Sequence, residues 1–182
     1  MMVILQANNQ TLLIIQIIGM IFISLMGATL HFTYSWSGKN WVVGIFSAIN
    51  ESIWEHMKMA FWPLLLYTGI EYLLLSEHYR NLFFSNMVSA LITLSIIPVI
   101  VCIYTRVVKR NILVVDISTF IIAIIVGQLV SYALMGYNGV LEIFNIAGLF
   151  VLVGLAFVFA LFTFYPPHHG LFKDASTKKC NY

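Results

Sequence analysis

Apolar residues in this chain come in long blocks, without the strict alternation of a half-buried strand or the narrow stripe of a surface helix. Roughly 20 mostly apolar residues cross about 30 Å of hydrocarbon as a helix. Five blocks reach that length, at about residues 12–30, 57–75, 82–104, 112–134 and 140–164. Residues 41–49 are apolar but too short to cross, and read as a re-entrant or interfacial piece or as an early start to the second helix. The predicted fold is all-α, a polytopic transmembrane helix bundle of five spans. It makes one integral membrane domain over residues 1–182, with a cytoplasmic tail at 165–182.

Composition excludes the soluble classes. Hydrophobic residues make up 61% of the chain and charged residues only 9%, far below the roughly one-quarter charged of a soluble domain. The nine lysines and arginines then orient it. With five spans and the N-terminus outside, Lys39, Lys58, Arg106, Lys109, Arg110, Lys173, Lys178 and Lys179 fall on the cytoplasmic side and only Arg80 outside. If residues 41–49 crossed, giving six spans, the split would be seven against two. No basic residue precedes the first block, so it reads as a retained helix and not as a cleaved signal peptide. Cys102 and Cys180 offer neither a disulfide framework nor metal-site spacing. No basic stripe with interleaved aromatics marks a nucleic-acid partner.

The same orientation gathers the unusual polar residues at one membrane face: His31, the segment Glu51 to Lys58, Asp116, and His168, His169 and Asp174. Glu71, Glu77, His78 and Glu142 fall on the other. Charge near hydrocarbon is costly unless paired, hydrated or bound, so Asn50 to Lys58 is the first place to look for chemistry. Two readings stand there. Ser52 and Glu55 have capping-box spacing, with Glu55 and Lys58 able to form a surface pair. Alternatively, Glu51 and Glu55 share a helix face and offer two carboxylates to a cation.

Asp116 lies one turn from a small-residue stripe, Thr119, Ala123, Gly127 and Ser131, that lets helices approach closely. It either faces the bundle interior, or is an interfacial acid that snorkels to water or pairs with Lys109 or Arg110. Ser85, Ser89 and Thr93 read as a packing stripe, and Glu71 as a buried, hydrogen-bonded acid. Pro166 and Pro167 end the last helix and fix where His168 points. Neutral imidazole is the commonest metal ligand, so His168 with Glu51, Glu55 and His56 would suit zinc, iron or manganese.

His31-Phe32, Tyr34 to Gly38, the motif Asn50-Glu51-Ser52-Ile53-Trp54-Glu55-His56, then Pro63, Glu71-Tyr72, Phe164 to Pro167 and Leu171 to Asp174 carry a resemblance over nearly the whole chain. It resembles a family of uncharacterised small multi-pass membrane proteins of Firmicutes-type bacteria, known only as a domain of unknown function. The resemblance implies a fold and a shared motif, not a reaction; the expected location is the bacterial plasma membrane.

Two functions are expected. In the first, Asn50, Glu51, Glu55 and Asp116 bind or pass a cation or small cationic solute in a cytoplasm-facing cavity, which a homo-oligomer would enlarge. Affinity should then fall as acid protonates the carboxylates. In the second, Glu55, His56 and His168 hold a divalent metal ion, and Glu51 or Asp116 acts as general base toward a lipid or lipid-linked substrate.

Overall fold

The structure, a computed structural model, describes residues 9–137, 139 and 141–174. Val140, and residues 175–182 of the predicted tail with Lys178, Lys179 and Cys180, lie outside the described residues. What is described is all-helical: α1 (Asn9–Trp36), α2 (Trp41–Gly44), α3 (Ile53–Leu75), α4 (Leu82–Val108), α5 (Leu113–Met135), α6 (Glu142–Phe164) and a 3-10 turn (Gly170–Phe172). Four of these helices, α1, α4, α5 and α6, are long and apolar enough to cross a membrane.

The polarity of the bundle is reversed from that of a soluble protein. Ile14, Ile21, Leu25, Leu73, Ile103, Val114 and Phe150 are exposed, while Gln16, Ser85, Asn86, Ser89, Thr93, Thr119, Gln128 and Ser131 are buried. That arrangement suits lipid outside and interhelical polar contacts within, and it makes this a membrane protein by composition and packing together.

Residues 41–49 do not cross. They form the single turn α2 and a loop that folds back onto α1 and α3. The Ser47 hydroxyl donates to Leu30 O, accepts from the Tyr34 N–H at 2.9 Å and bonds the Thr33 hydroxyl at 2.8 Å. Trp62 Nε1–H donates to Ile45 O at 2.9 Å. The six-span alternative and the early start to the second helix are therefore corrected: backbone groups in this segment bond to α1 and α3 and do not form a continuous helix.

The first helix also runs past His31 to Trp36, further than the apolar block predicts. It stops where Gly38 (φ 69°) and Lys39 (φ 63°) turn left-handed, with Lys39 N–H returning to Tyr34 O at 3.0 Å. Glycine at that point is the standard end of a helix.

Packing explains two further features. α3 continues through Pro63, whose missing N–H leaves the Met59 carbonyl without its helical donor. Gly27 of α1 sits against that carbonyl, and a Cβ there would lie 2.9 Å from Met59 O. Between α4 and α5, the stripe Thr119, Ala123, Gly127 and Ser131 is buried as predicted. A Cβ on Gly127 would come within 3.0 Å of Ser89 O. Trp54, Phe61 and Phe159 pack as an aromatic group at the start of α3, with Phe172 of the 3-10 turn against Trp54 at 4.8 Å between ring centres.

Candidate functional site

The turn before α3 is built from its own side chains. Asn50 Oδ1 accepts from Ser52 N–H at 2.9 Å, and Ser52, in extended conformation, accepts from Glu55 N–H at 3.3 Å. That satisfies one of the donors a helix start leaves open. The capping box is only half formed, because Glu55 does not return to Ser52. Its carboxylate instead accepts from Ile49 N–H at 3.0 Å and from Lys58 Nζ at 2.6 Å.

Lys58 is wholly buried, and so, within a few per cent, is Glu55. The ammonium also donates to Gly44 O at 2.8 Å and to Thr163 Oγ1 at 3.2 Å, so each of its three protons has an acceptor. This overturns the reading of the pair as a surface contact. It is an internal clamp joining α2, α3 and α6.

With Glu55 taken up by the clamp, the acids that come together are Glu51 and Asp116. They line a cavity of about 20 Å³ with His56 and Asn111, over a floor of Ile97, Val101 and Phe120. His56 Nδ1 lies 2.8 Å from Ser52 O. A carbonyl can only accept, so Nδ1 carries the hydrogen and Nε2 is the ring's open position. Glu51 also meets His31 Nε2 at 3.4 Å, and the His31 and His56 ring centres are 6.1 Å apart. Asp116, in the first turn of α5 where the helix dipole favours an anion, accepts a hydrogen bond from the Tyr104 hydroxyl. It pairs with neither Lys109 nor Arg110 among the described residues.

The predicted residues thus divide. Glu51, His56 and Asp116 are brought to one cavity, Asn50 holds the turn beside it, and Glu55 is held by Lys58. His168 is exposed on the turn after α6 and does not line the cavity. The expected metal set of Glu55, His56 and His168 is not assembled, and among the described residues no three His, Cys, Asp or Glu side chains converge to hold a metal ion. Sequence reasoning assigned no site role to His31 or Tyr104. Tyr104 sits twelve positions from Asp116, across the connection between α4 and α5, a spacing that carries no local signal.

A second polar centre lies deeper in the bundle. Glu71 of α3 is fully buried and accepts from Gln16 Nε2 of α1 at 2.8 Å and from Asn86 Nδ2 of α4 at 2.5 Å. Ser131 of α5 donates to Asn86 Oδ1 at 2.8 Å. Glu71 is therefore buried and hydrogen-bonded, as its sequence context suggested. Gln16 Oε1, Ser89 Oγ and Gln128 Oε1 are buried with no bonding partner among the described residues.

Fold and cavity together define a polytopic helical membrane protein with an acidic, histidine-bearing pocket at one end of the bundle. The chain belongs to a family of unknown function, DUF6512, whose profile matches residues 2–181. No curated protein and no solved structure matches it.

Proposed function

We propose that the protein is a five-span membrane protein of the bacterial plasma membrane, its N-terminus outside, whose cytoplasm-facing cavity binds a small cation for passage through the bundle. Crossing by α3 is favoured by its place inside the bundle. It packs against α1 and α4 over its length, and its polar residues point inward, so its lower apolar content reflects neighbours and not exposure to water. Removing the buried Lys58 from the count of cytoplasmic cations still leaves seven against one, which supports the orientation.

The observation that carries the binding reading is the placement of Glu51, from the turn before α3, and Asp116, from α5, around one cavity with His56. Two carboxylates facing about 20 Å³ of space attract positive charge into room for about one water-sized guest. A single inorganic cation or an ammonium ion suits that volume. A catalytic transition metal ordinarily takes three protein ligands, so the ligand geometry favours ion binding over metal catalysis. The buried polar groups Thr93, Ser89, Gln128, Asn86 and Glu71 continue from the cavity toward the opposite end of the bundle, which favours passage over static binding.

Titration of the purified protein in nanodiscs with sodium, potassium, ammonium and magnesium salts tests this by calorimetry. Saturable binding of at least one ion is expected, weakening as pH falls and lost in Glu51→Gln with Asp116→Asn. Binding that survives the double substitution, or no saturable binding at all, rejects the reading.

A further inference from the structure

The opposite end of the bundle holds a second cavity, far larger, of about 310 Å³. It opens between the end of α3, the start of α4 and the start of α6, and its volume falls within the range of small-molecule sites. Tyr72 and Phe83 form one wall, their rings stacked with centres 5.3 Å apart. Arg80 and Glu142 both line it, yet no salt bridge joins them among the described residues. Two opposite charges therefore face one space without neutralising each other, and a guest carrying both signs would satisfy both.

The rest of the lining tells which guest. Asn145 spends its Oδ1 on the N–H groups of Phe83 and Phe84, at 2.7 and 3.2 Å, so what it has left to offer is its Nδ2 donors. Tyr79 also lines the cavity, and burial with Tyr132 nearby pushes its phenol above the ordinary value, keeping it a donor. Arginine, amide and phenol make a set of donors suited to an anion with several acceptor oxygens, above all phosphate, which a guanidinium grips with two parallel bonds. Glu142 is the single acidic acceptor among the lining residues, and it suits one primary ammonium, aided by the aromatic wall.

Ile146, on the cavity's edge, is exposed, and Phe150, Val153 and Phe157 continue from it down the outside of α6 at steps of three and four. That stripe gives an acyl chain a track leading away from a headgroup seated above. We infer that this cavity binds an ammonium-phosphate zwitterion, supplied as the ethanolamine-phosphate headgroup of a membrane lipid. Arg80 takes the phosphate and Glu142 the ammonium. The site shares no residue with the Glu51 and Asp116 cavity, so either can fail without the other.

The test is native mass spectrometry of the purified full chain equilibrated with equal amounts of phosphatidylethanolamine and phosphatidylglycerol, alongside calorimetric titration with soluble O-phosphoethanolamine. Retention of the ethanolamine lipid about tenfold over the glycerol lipid is expected, and Arg80→Gln and Glu142→Gln should each lower it by about tenfold, the scale of one lost charge-assisted bond. Both residues are exposed, so melting temperatures should not move. Binding of O-phosphoethanolamine with the same dependence on both residues, but no lipid preference, supports the chemistry and assigns a soluble source. Equal retention of the two lipids with no O-phosphoethanolamine binding, or binding indifferent to both substitutions, overturns the proposal.

Discussion

A lysine with no exposed surface needs every one of its protons placed, and Lys58 has them placed on Glu55, Gly44 and Thr163. Buried ion pairs return little net stability, because desolvation offsets attraction, but removing one partner strands the other charge. Lys58→Ala should therefore destabilise the protein by about 3–5 kcal/mol. Joint replacement by Glu55→Leu with Lys58→Met should recover much of that loss. Thermal unfolding followed by tryptophan fluorescence in detergent checks both, and the expected order of melting temperature is wild type near the double variant, with Lys58→Ala well below. This role was not legible from sequence. Lysine at the edge of an apolar block reads equally as a snorkelling surface group or as an internal clamp, and only the fold of residues 41–49 beneath it decides. Glu71 was legible, because an acid inside an apolar block has to be bonded internally. Its partners Gln16 and Asn86, 55 and 15 positions away, were not.

Helix boundaries followed from block length and punctuation, since bilayer thickness sets one and the backbone chemistry of glycine and proline sets the other. Gly38 stops α1, and α6 ends before Pro166. Which helices touch did not follow, except where small residues declared a close approach. α6 offers a controlled case. A Cβ on Gly148 would lie 2.7 Å from the backbone of Phe83 and Phe84, whereas one on Gly154 would meet nothing within 4 Å. Backbone cannot rotate away as a side chain can, so Gly148→Ala must push α6 off α4. A cost of about 1–3 kcal/mol is expected for such overpacking. Gly154→Ala should leave stability unchanged or raise it slightly, because alanine is the better helix former. Melting of the two variants side by side separates the packing effect from helix propensity, and equal stability would show that α4 and α6 can part there without penalty.

At the scale of the whole molecule, what distinguishes five spans from four is α3 alone. Its 23 residues extend about 35 Å at 1.5 Å each, enough to match its neighbours. Its start lies beside Asp116 near the beginning of α5, and its end beside Asn145 near the beginning of α6. Those two points sit at opposite ends of α5 and of the bundle, which supports the proposed crossing by α3 alongside α4, α5 and α6. The charges that lower its apolar content, Glu55, Lys58 and Glu71, are all buried against protein and need no exposure to water. On the proposed five-span arrangement Lys39 and Ser76, which bracket α3 and are both exposed, face different compartments. Single cysteines at these positions, in a background where Cys102 and Cys180 are replaced, should behave oppositely toward a membrane-impermeant maleimide on intact cells. Ser76→Cys should label at once and Lys39→Cys only after permeabilisation, with Lys173→Cys following Lys39→Cys. Equal labelling at Lys39→Cys and Ser76→Cys would make α3 a re-entrant helix. It would also put the two cavities on one side of the membrane, removing the path from the Glu51 and Asp116 pocket through the bundle.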